Sequence, residues 1–314
     1  MQPHNTAADV LGRSTPPTNG PSASAPGGRA SGSAEANRDE TIECDICVIG
    51  AGSGGLSVAA AAAAFGVSVV LIEKHKMGGD CLNYGCVPSK ALIAAGKRAH
   101  LMRTKNGFGI SPQEPRIDYK AVHGHVQSVI EAIEPNDSVE RFTGLGVQVI
   151  EAAGRFIDKA TVEAGDRRIK ARRFVIATGS APLVPPIPGL DSVPYFTNET
   201  IFDNQQKIEH LVIVGGGPIG LELAQAHRRL GSQVTVLEGA KALAKDDPEL
   251  TSLVLQHLRR EDIDIREGAL ATSIEGGPGD VRVHIKVVNR DELVAGTHVL
   301  IAAGRKPNVD DLGL

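Results

Sequence analysis

The sequence predicts an α/β fold in which one design occurs twice, and three observations carry that prediction. A short apolar strand runs into a glycine-rich turn at Val48-Ile49-Gly50-Ala51-Gly52-Ser53-Gly54-Gly55, and again at Ile213-Val214-Gly215-Gly216-Gly217-Pro218-Ile219-Gly220. Each turn opens a helix that a glycine ends, Gly66 in one copy and Gly231 in the other, and a second strand then runs to an acid, Val67–Glu73 and Gln233–Glu238. Shortly after the first copy comes a spaced cysteine pair in Gly79-Asp80-Cys81-Leu82-Asn83-Tyr84-Gly85-Cys86-Val87-Pro88-Ser89-Lys90.

A chain of 314 residues with 41% hydrophobic content can bury more than one core, so two domains are expected. The formal charge of -4 and a pI near 6.2 leave no basic footprint for nucleic acid or an acidic membrane surface, and a small-molecule partner fits better. No apolar run approaches the roughly 18 residues of a membrane span; the alanine-rich stretch Val58 to Phe65 belongs to the first glycine unit. Four cysteines are too few for a secreted disulfide scaffold, which makes a cytoplasmic location the expectation. Residues 1–42, dominated at first by Ala, Gly, Pro, Ser and Thr, read as a disordered tail that cannot bury enough apolar surface to offset its ordering entropy.

In each glycine unit the three spaced glycines have separate jobs. Gly50 and Gly215 permit the tight strand-to-helix turn, Gly52 and Gly217 let the backbone approach a pyrophosphate, and Gly55 and Gly220 let helix pack on strand. Ala59 and Ala224, each four residues further on, keep that helix face small. The helix N-terminus then offers free N–H groups and partial positive charge to an anion. Glu73 and Glu238 fall near the distance of about 20 residues expected of an acid that grips a ribose hydroxyl pair. Gly239 and Ala240 follow Glu238 where arginines would welcome a 2′-phosphate, so NADH is expected over NADPH, with Lys241 and Lys245 standing further along.

An undistorted helix would turn Cys81 and Cys86 about 140° apart around its axis, too far for a disulfide, so the segment between them must be irregular, with Gly85 as its permissive backbone. Pro88 suits the first turn of a helix over about Ser89 to Met102, which sets Cys86 beside a helix N-terminus, an environment that favours a thiolate. Cys44 and Cys47 lie on the strand leading to Gly50; three residues apart, they should face opposite sides and serve packing, leaving Cys81–Cys86 as the expected disulfide. His123 and His125 match no metal-ligand spacing, and no metal site is expected.

These residues resemble the flavoprotein disulfide reductases with two dinucleotide sites, the class I pyridine nucleotide-disulfide oxidoreductases that include dihydrolipoamide dehydrogenase, glutathione reductase and mercuric reductase. The resemblance runs from about Cys44 to Leu314 and rests on Gly78-Gly79-Asp80-Cys81 through Lys90, Ala177-Thr178-Gly179-Ser180, the second glycine unit with Leu221-Glu222, and Ala302-Ala303-Gly304-Arg305-Lys306-Pro307-Asn308. Asp80 stands where threonine is more usual in the family. The resemblance implies two Rossmann-like FAD/NAD(P)-binding domains, each a parallel sheet with a small antiparallel strand layer, the NAD domain inserted in the FAD domain. FAD would lie along Gly50, Gly52, Gly55, Glu73, Gly79, Asp80, Gly154, Thr178, Gly179 and Ser180. NAD(H) would lie along Gly215, Gly217, Pro218, Ile219, Gly220, Glu222, Glu238 and Gly304. Electrons would pass from NADH through flavin to the Cys81–Cys86 pair and on to a small-molecule or protein-bound disulfide or dithiol. Cys86 matches the thiolate next to the flavin, Cys81 the thiol that attacks substrate, Lys90 the lysine beside the flavin, and Glu222 its ion-pair partner.

The alternatives are a dinucleotide-binding fragment without turnover, and a flavin NADH oxidase or metal-ion (mercuric) reductase. Family members continue into a dimerisation domain that supplies a histidine–glutamate pair, so the full-length family is expected to be homodimeric. None of the ten histidines here matches that context, and poor turnover of a disulfide by this chain alone is the expectation. The expected layout is a tail over 1–42, the FAD domain over 43–193, the NAD domain over 194–302 and a return over 303–314. Strands are expected at Arg155–Val162, Arg168–Ala177, Val281–Val288 and Thr297–Ala303, with Pro182 to Pro188 as an extended linker.

Overall fold

The computed structural model describes residues 41–104, 109–288 and 290–314. The tail expected over 1–42 therefore lies outside the described residues, except that Thr41 and Ile42 open the first strand.

The first glycine unit folds as β1 (Thr41–Ile49), α1 (Ser53–Ala64) and β2 (Val69–Glu73). Four helices follow, α2 (Gly79–Asn83), α3 (Cys86–Arg103), α4 (Tyr119–Ile133) and α5 (Val139–Gly144), and then strands β3 (Gln148–Glu151), β4 (Gly154–Asp158), β5 (Thr161–Ala164), β6 (Arg167–Ile176), β7 (Ser180–Pro182) and β8 (Tyr195–Phe196). The second glycine unit is β9 (His210–Val214), α6 (Pro218–Arg229) and β10 (Gln233–Glu238). After it come α7 (Pro248–Arg260), β11 (Asp264–Glu267), β12 (Ala269–Gly277), β13 (Asp280–Val287), β14 (Arg290–Gly296), β15 (His298–Ile301) and β16 (Arg305–Pro307).

The first sheet has the order β3-β2-β1-β6-β5-β4, and its first four strands are parallel. The second has the order β11-β10-β9-β15-β8 and is parallel throughout. Strand order reverses beside β1 in one and β9 in the other, the place where open α/β sheets bind ligands beyond their carboxyl ends. The antiparallel layers differ between the copies. The second sheet has a separate three-stranded layer, β12-β13-β14, whereas β5 and β4 are bonded onto the long strand β6 and continue the first sheet.

Each sheet buries both faces. Val48, Leu71, Leu56, Ala59 and Phe142 form the core between the first sheet and helices α1 and α5, while Ile49, Ile72, Val162, Ile169 and Leu312 form the opposite one. Ile213, Val236 and Leu300 face helices α3, α6 and α7 through Leu92, Leu221, Leu223 and Leu258, while Val212, Val299 and Ile301 face Ile274, Val283 and Ile285 of the antiparallel layer. Both glycine-ended helices close alike: Val67 N donates to Ala62 O at 3.1 Å and Ser232 N to His227 O at 3.0 Å, with Gly66 and Gly231 at φ of 72° and 101° between.

Three expectations are corrected. The strand expected over Arg155–Val162 is a hairpin, β4 to β5, because the Asp158 carboxylate accepts the Ala160 N–H at 2.7 Å and turns the chain. Pro182, the first residue of the expected linker, instead ends the strand Ser180–Pro182 that pairs antiparallel with Arg305–Pro307, and Phe156 N donates to Leu312 O at 2.8 Å, so the final residues lie against the first sheet. Cys44 and Cys47 both stand on β1, but they do not face opposite sides. Both pack into the core that holds Ile42 and Ile49, whereas Ile46 and Val48 pack into the other. The alternation breaks at Asp45, whose N–H turns away to Ser68 O at 3.2 Å and which, with Arg172, drops out of the β1–β6 pairing.

Candidate active site

The two strand-to-helix turns superimpose in their chemistry. Gly50 N donates to Ile72 O at 2.7 Å and Gly215 N to Leu237 O at 2.8 Å. A Cβ on Gly50 would lie 2.3 Å from Ala177 O, and one on Gly215 2.3 Å from Ala302 O, so the end of a neighbouring strand presses on each turn. Gly55 and Gly220 meet the same limit, with Gly50 O at 1.8 Å and Gly215 O at 2.1 Å from their ideal Cβ positions. Beyond each turn a helix N-terminus points its unpaired N–H groups outward.

The acids are oriented alike. Glu73 accepts from Ala51 N at 2.6 Å and His75 N at 2.8 Å, and Glu238 accepts from Gly216 N at 2.8 Å and Ala240 N at 2.9 Å. Each carboxylate oxygen takes one backbone N–H and keeps lone-pair capacity for a further donor such as a ribose hydroxyl. Ala51 and Gly216 were not singled out in the sequence; their role shows only once the two copies are aligned, since each precedes its acid by the same interval.

A cavity of about 630 Å³ opens at the carboxyl end of the first sheet. It gathers Gly50, Gly52, Glu73, Gly79, Asp80, Gly154, Thr178, Gly179 and Ser180, together with Tyr84 and Asn308, to which the motifs holding them assign no role, and Glu199, which no motif contains. The size and the mixed lining suit a cofactor site. The glycines make a cradle that side chains would fill, which is the shape an extended dinucleotide with its pyrophosphate requires, and so these residues fit FAD. Asn308 stiffens the rim: its N–H donates to Gly179 O at 3.0 Å and its Nδ2 to Thr178 O at 3.0 Å.

The cysteine segment is fastened to this cradle. Gly78 and Gly79 both have positive φ, 80° and 56°, and a Cβ on Gly79 would lie 2.6 Å from Gly52 Cα, so α2 starts against the first glycine turn. Cys81 sits on α2, and α3 begins at Cys86 itself, three residues before the expected start at Ser89, so Cys86 occupies the first helical turn. The break between the helices falls at Tyr84 and Gly85. Gly85 has φ of -123° and ψ of -110°, and a Cβ there would make a tight contact, 3.0 Å from both the carbonyl and a carboxylate oxygen of Asp80.

The disulfide expected between Cys81 and Cys86 is not formed in the structure; the two are free thiols on either side of the helix break. Burial, then the neighbouring Cys86 thiol, pushes the Cys81 thiol up to about 11. Cys86 is exposed. Cys47 is pushed up to about 12 by burial and Cys44 is raised for the same reason, so neither suits redox exchange. One turn beyond Cys86, Lys90 Nζ meets Glu222 Oε2 at 2.7 Å, joining α3 to α6, which also approach closely where Gly96 lies against Ala226. Pro218 opens α6, Ile219 packs partly on the core, and Gly304, at φ of 130°, accepts from Leu183 N at 2.9 Å beside the second turn.

A doubled dinucleotide-binding fold with a dithiol fastened to its first turn defines a class of protein, and comparison with known proteins identifies the family. Residues 44–314 match the pyridine nucleotide-disulphide oxidoreductase model. The mercuric reductase of Streptomyces lividans is 34% identical over 276 residues, covering 86% of this chain and 58% of its own length. The dihydrolipoyl dehydrogenase of Bacillus subtilis is 34% identical over 283 residues, covering 88% of this chain and 60% of its own length. Among solved structures, the Cu(II) complex of the HOCl-induced flavoprotein disulfide reductase RclA from Escherichia coli superposes with a TM-score of 0.73 at 27% identity, over 86% of this chain and 58% of that one. This chain belongs to the pyridine nucleotide-disulphide oxidoreductase family and spans 44% to 60% of the length of such relatives. Among the described residues no helix is long and apolar enough to cross a membrane.

Proposed function

We propose that this chain carries the FAD site, the NADH site and the redox dithiol of a flavoprotein disulfide reductase, and that it moves electrons between NADH and the Cys81–Cys86 pair. The observation that carries the reading is the seating of the cysteine segment directly on the first glycine turn, through Gly79 against Gly52. FAD, held along the cavity by Gly50, Gly52, Glu73, Thr178 and Gly179, would supply hydride acceptance from NADH and two-electron exchange with sulfur. The chain's own residues do the rest. Glu73 grips the adenosine ribose of FAD and Glu238 that of NADH, each through the lone pairs its backbone partners leave free. Lys90 holds positive charge above the first turn of α3, and Glu222 fixes its position. Cys86, in that turn, is the thiolate that faces the cofactor, and Cys81 is the thiol that exchanges with substrate. The domain layout follows: FAD over 43–193, NADH over 194–302, and a return over 303–314.

The substrate of the whole protein is proposed to be a disulfide or dithiol, free or protein-borne; the likeness to mercuric reductases supports a metal-ion substrate as the second reading. Titration of the cofactor-free chain with FAD tests the reading. Saturable, stoichiometric quenching of flavin fluorescence is expected, followed by bleaching of the visible band on anaerobic addition of NADH. A chain that neither quenches nor retains FAD contradicts it.

A further inference from the structure

Asp80 occupies the wall of the cavity proposed for FAD, next to the residue that packs on the glycine turn. A carboxylate there should repel the pyrophosphate that the turn is shaped to receive. The structure surrounds it with a specific answer. Arg305 Nη2 lies 3.1 Å from Asp80 Oδ1, and the same guanidinium is aimed by Nε donating to Ser180 Oγ at 2.7 Å and by Nη2 donating to Ser180 O. Asn198, a buried amide, spans the other side, with Nδ2 at 3.5 Å from both Asp80 Oδ1 and Tyr84 O. The second carboxylate oxygen lies over Gly85, the residue before Cys86. One acid thus touches the return strand β16, the segment around Asn198 and the hinge between the two cysteines.

We infer that Asp80 and Arg305 form a positioning pair: Arg305 neutralises Asp80 at the cofactor wall, and together they hold the α2–α3 hinge against β7 and β16. The inference rests on the proposed FAD site. Arg305 comes from a segment more than two hundred positions away in sequence, so the pair also makes cofactor affinity depend on the final residues being folded back on the first sheet.

The test is a four-protein comparison of wild type, Arg305→Gln, Asp80→Thr and the double variant, with FAD affinity read by fluorescence quenching and the Cys81 alkylation rate read by mass spectrometry. Arg305→Gln should weaken FAD binding by about tenfold, since it leaves an unpaired anion facing phosphate. It should also speed alkylation of Cys81. Asp80→Thr should bind at least as well as wild type, and the double variant should recover to within about threefold of wild type, because the repelling charge is gone. A double variant as weak as Arg305→Gln, or an Arg305→Gln protein that binds normally, overturns the pair. If wild type binds no FAD, the proposed function fails by itself; the pairing is then decided by the thermal melts of the four proteins, where zero coupling between positions 80 and 305 overturns it and a clear coupling supports it.

Discussion

His227 makes the second unit acid-sensitive by a calculable amount. Its ring is buried on α6, its Nε2 has no hydrogen-bond partner among the described residues, and burial, helped by the nearby His298, lowers its pKa from 6.5 to about 4. The folded state therefore refuses a proton that the unfolded chain accepts at about 6.5. The contribution is fully present above the unfolded value and is lost as the pH falls from there toward the folded one. Between pH 7.5 and 5.0 that single group should cost about 2 kcal/mol of stability, and roughly 3 kcal/mol by pH 4. Burial lowers His210 and His298 as well, so the whole-protein loss should exceed that of His227 alone. Urea unfolding at pH 7.5 and 5.0, on wild type and His227→Leu, isolates the term as the difference between the two losses. A variant that loses as much stability as wild type between these pH values refutes the assignment.

The cofactor turns give three further predictions. Gly55→Ala should destabilise by about 3 kcal/mol or more, since its Cβ would sit 1.8 Å from Gly50 O, whereas Gly54→Ala, with nothing within 4 Å, should leave the melting temperature unchanged or raise it; equal melts for the two variants would count against the packed turn. Glu238→Ala should cut NADH affinity by about tenfold and reduce the preference over NADPH, measured by titration of both; a wild type that binds NADPH as well as NADH contradicts the role given to Glu238. In the FAD-loaded chain, Cys81→Ser should show a long-wavelength thiolate–flavin band at neutral pH without added reductant, and Cys86→Ser should show none. A Cys81→Ser protein holding FAD but lacking the band would reassign the thiolate.

Much of this was legible in the sequence because the informative constraints are local. A glycine at 50 or 215 is demanded by a strand end pressing within 2.3 Å, and the same steric limit recurs at 55 and 220, so the spacing alone announces the turns. The fold class followed from strand, turn, helix and acid arriving in register twice. What escaped were contacts between distant segments and two local details. Alternation on β1 breaks at Asp45 because Ser68 draws its backbone away, and nothing near Asp45 in sequence signals that. The hairpin at Asp158 turns on Asp158-Lys159-Ala160, a short break between strand-forming residues with no glycine or proline to mark it. Asp80 stood in the sequence as a residue along the FAD site and as a departure from the family's threonine; its pairing needed Arg305 and Asn198 beside it. Pro88 marks the first turn of α3 but not its first residue: the helix begins at Cys86 and holds Pro88 third, where its missing N–H is harmless.

The central claim, that NADH reduces the Cys81–Cys86 pair through FAD, is tested most directly by counting thiols. The FAD-loaded chain is oxidised, freed of oxidant, and treated anaerobically with one equivalent of NADH, and new thiols are trapped by alkylation and located by mass spectrometry. The account predicts two new thiols per NADH consumed, at Cys81 and Cys86, with Cys44 and Cys47 unchanged. NADH consumption with no gain of thiol at Cys81 and Cys86 would contradict it.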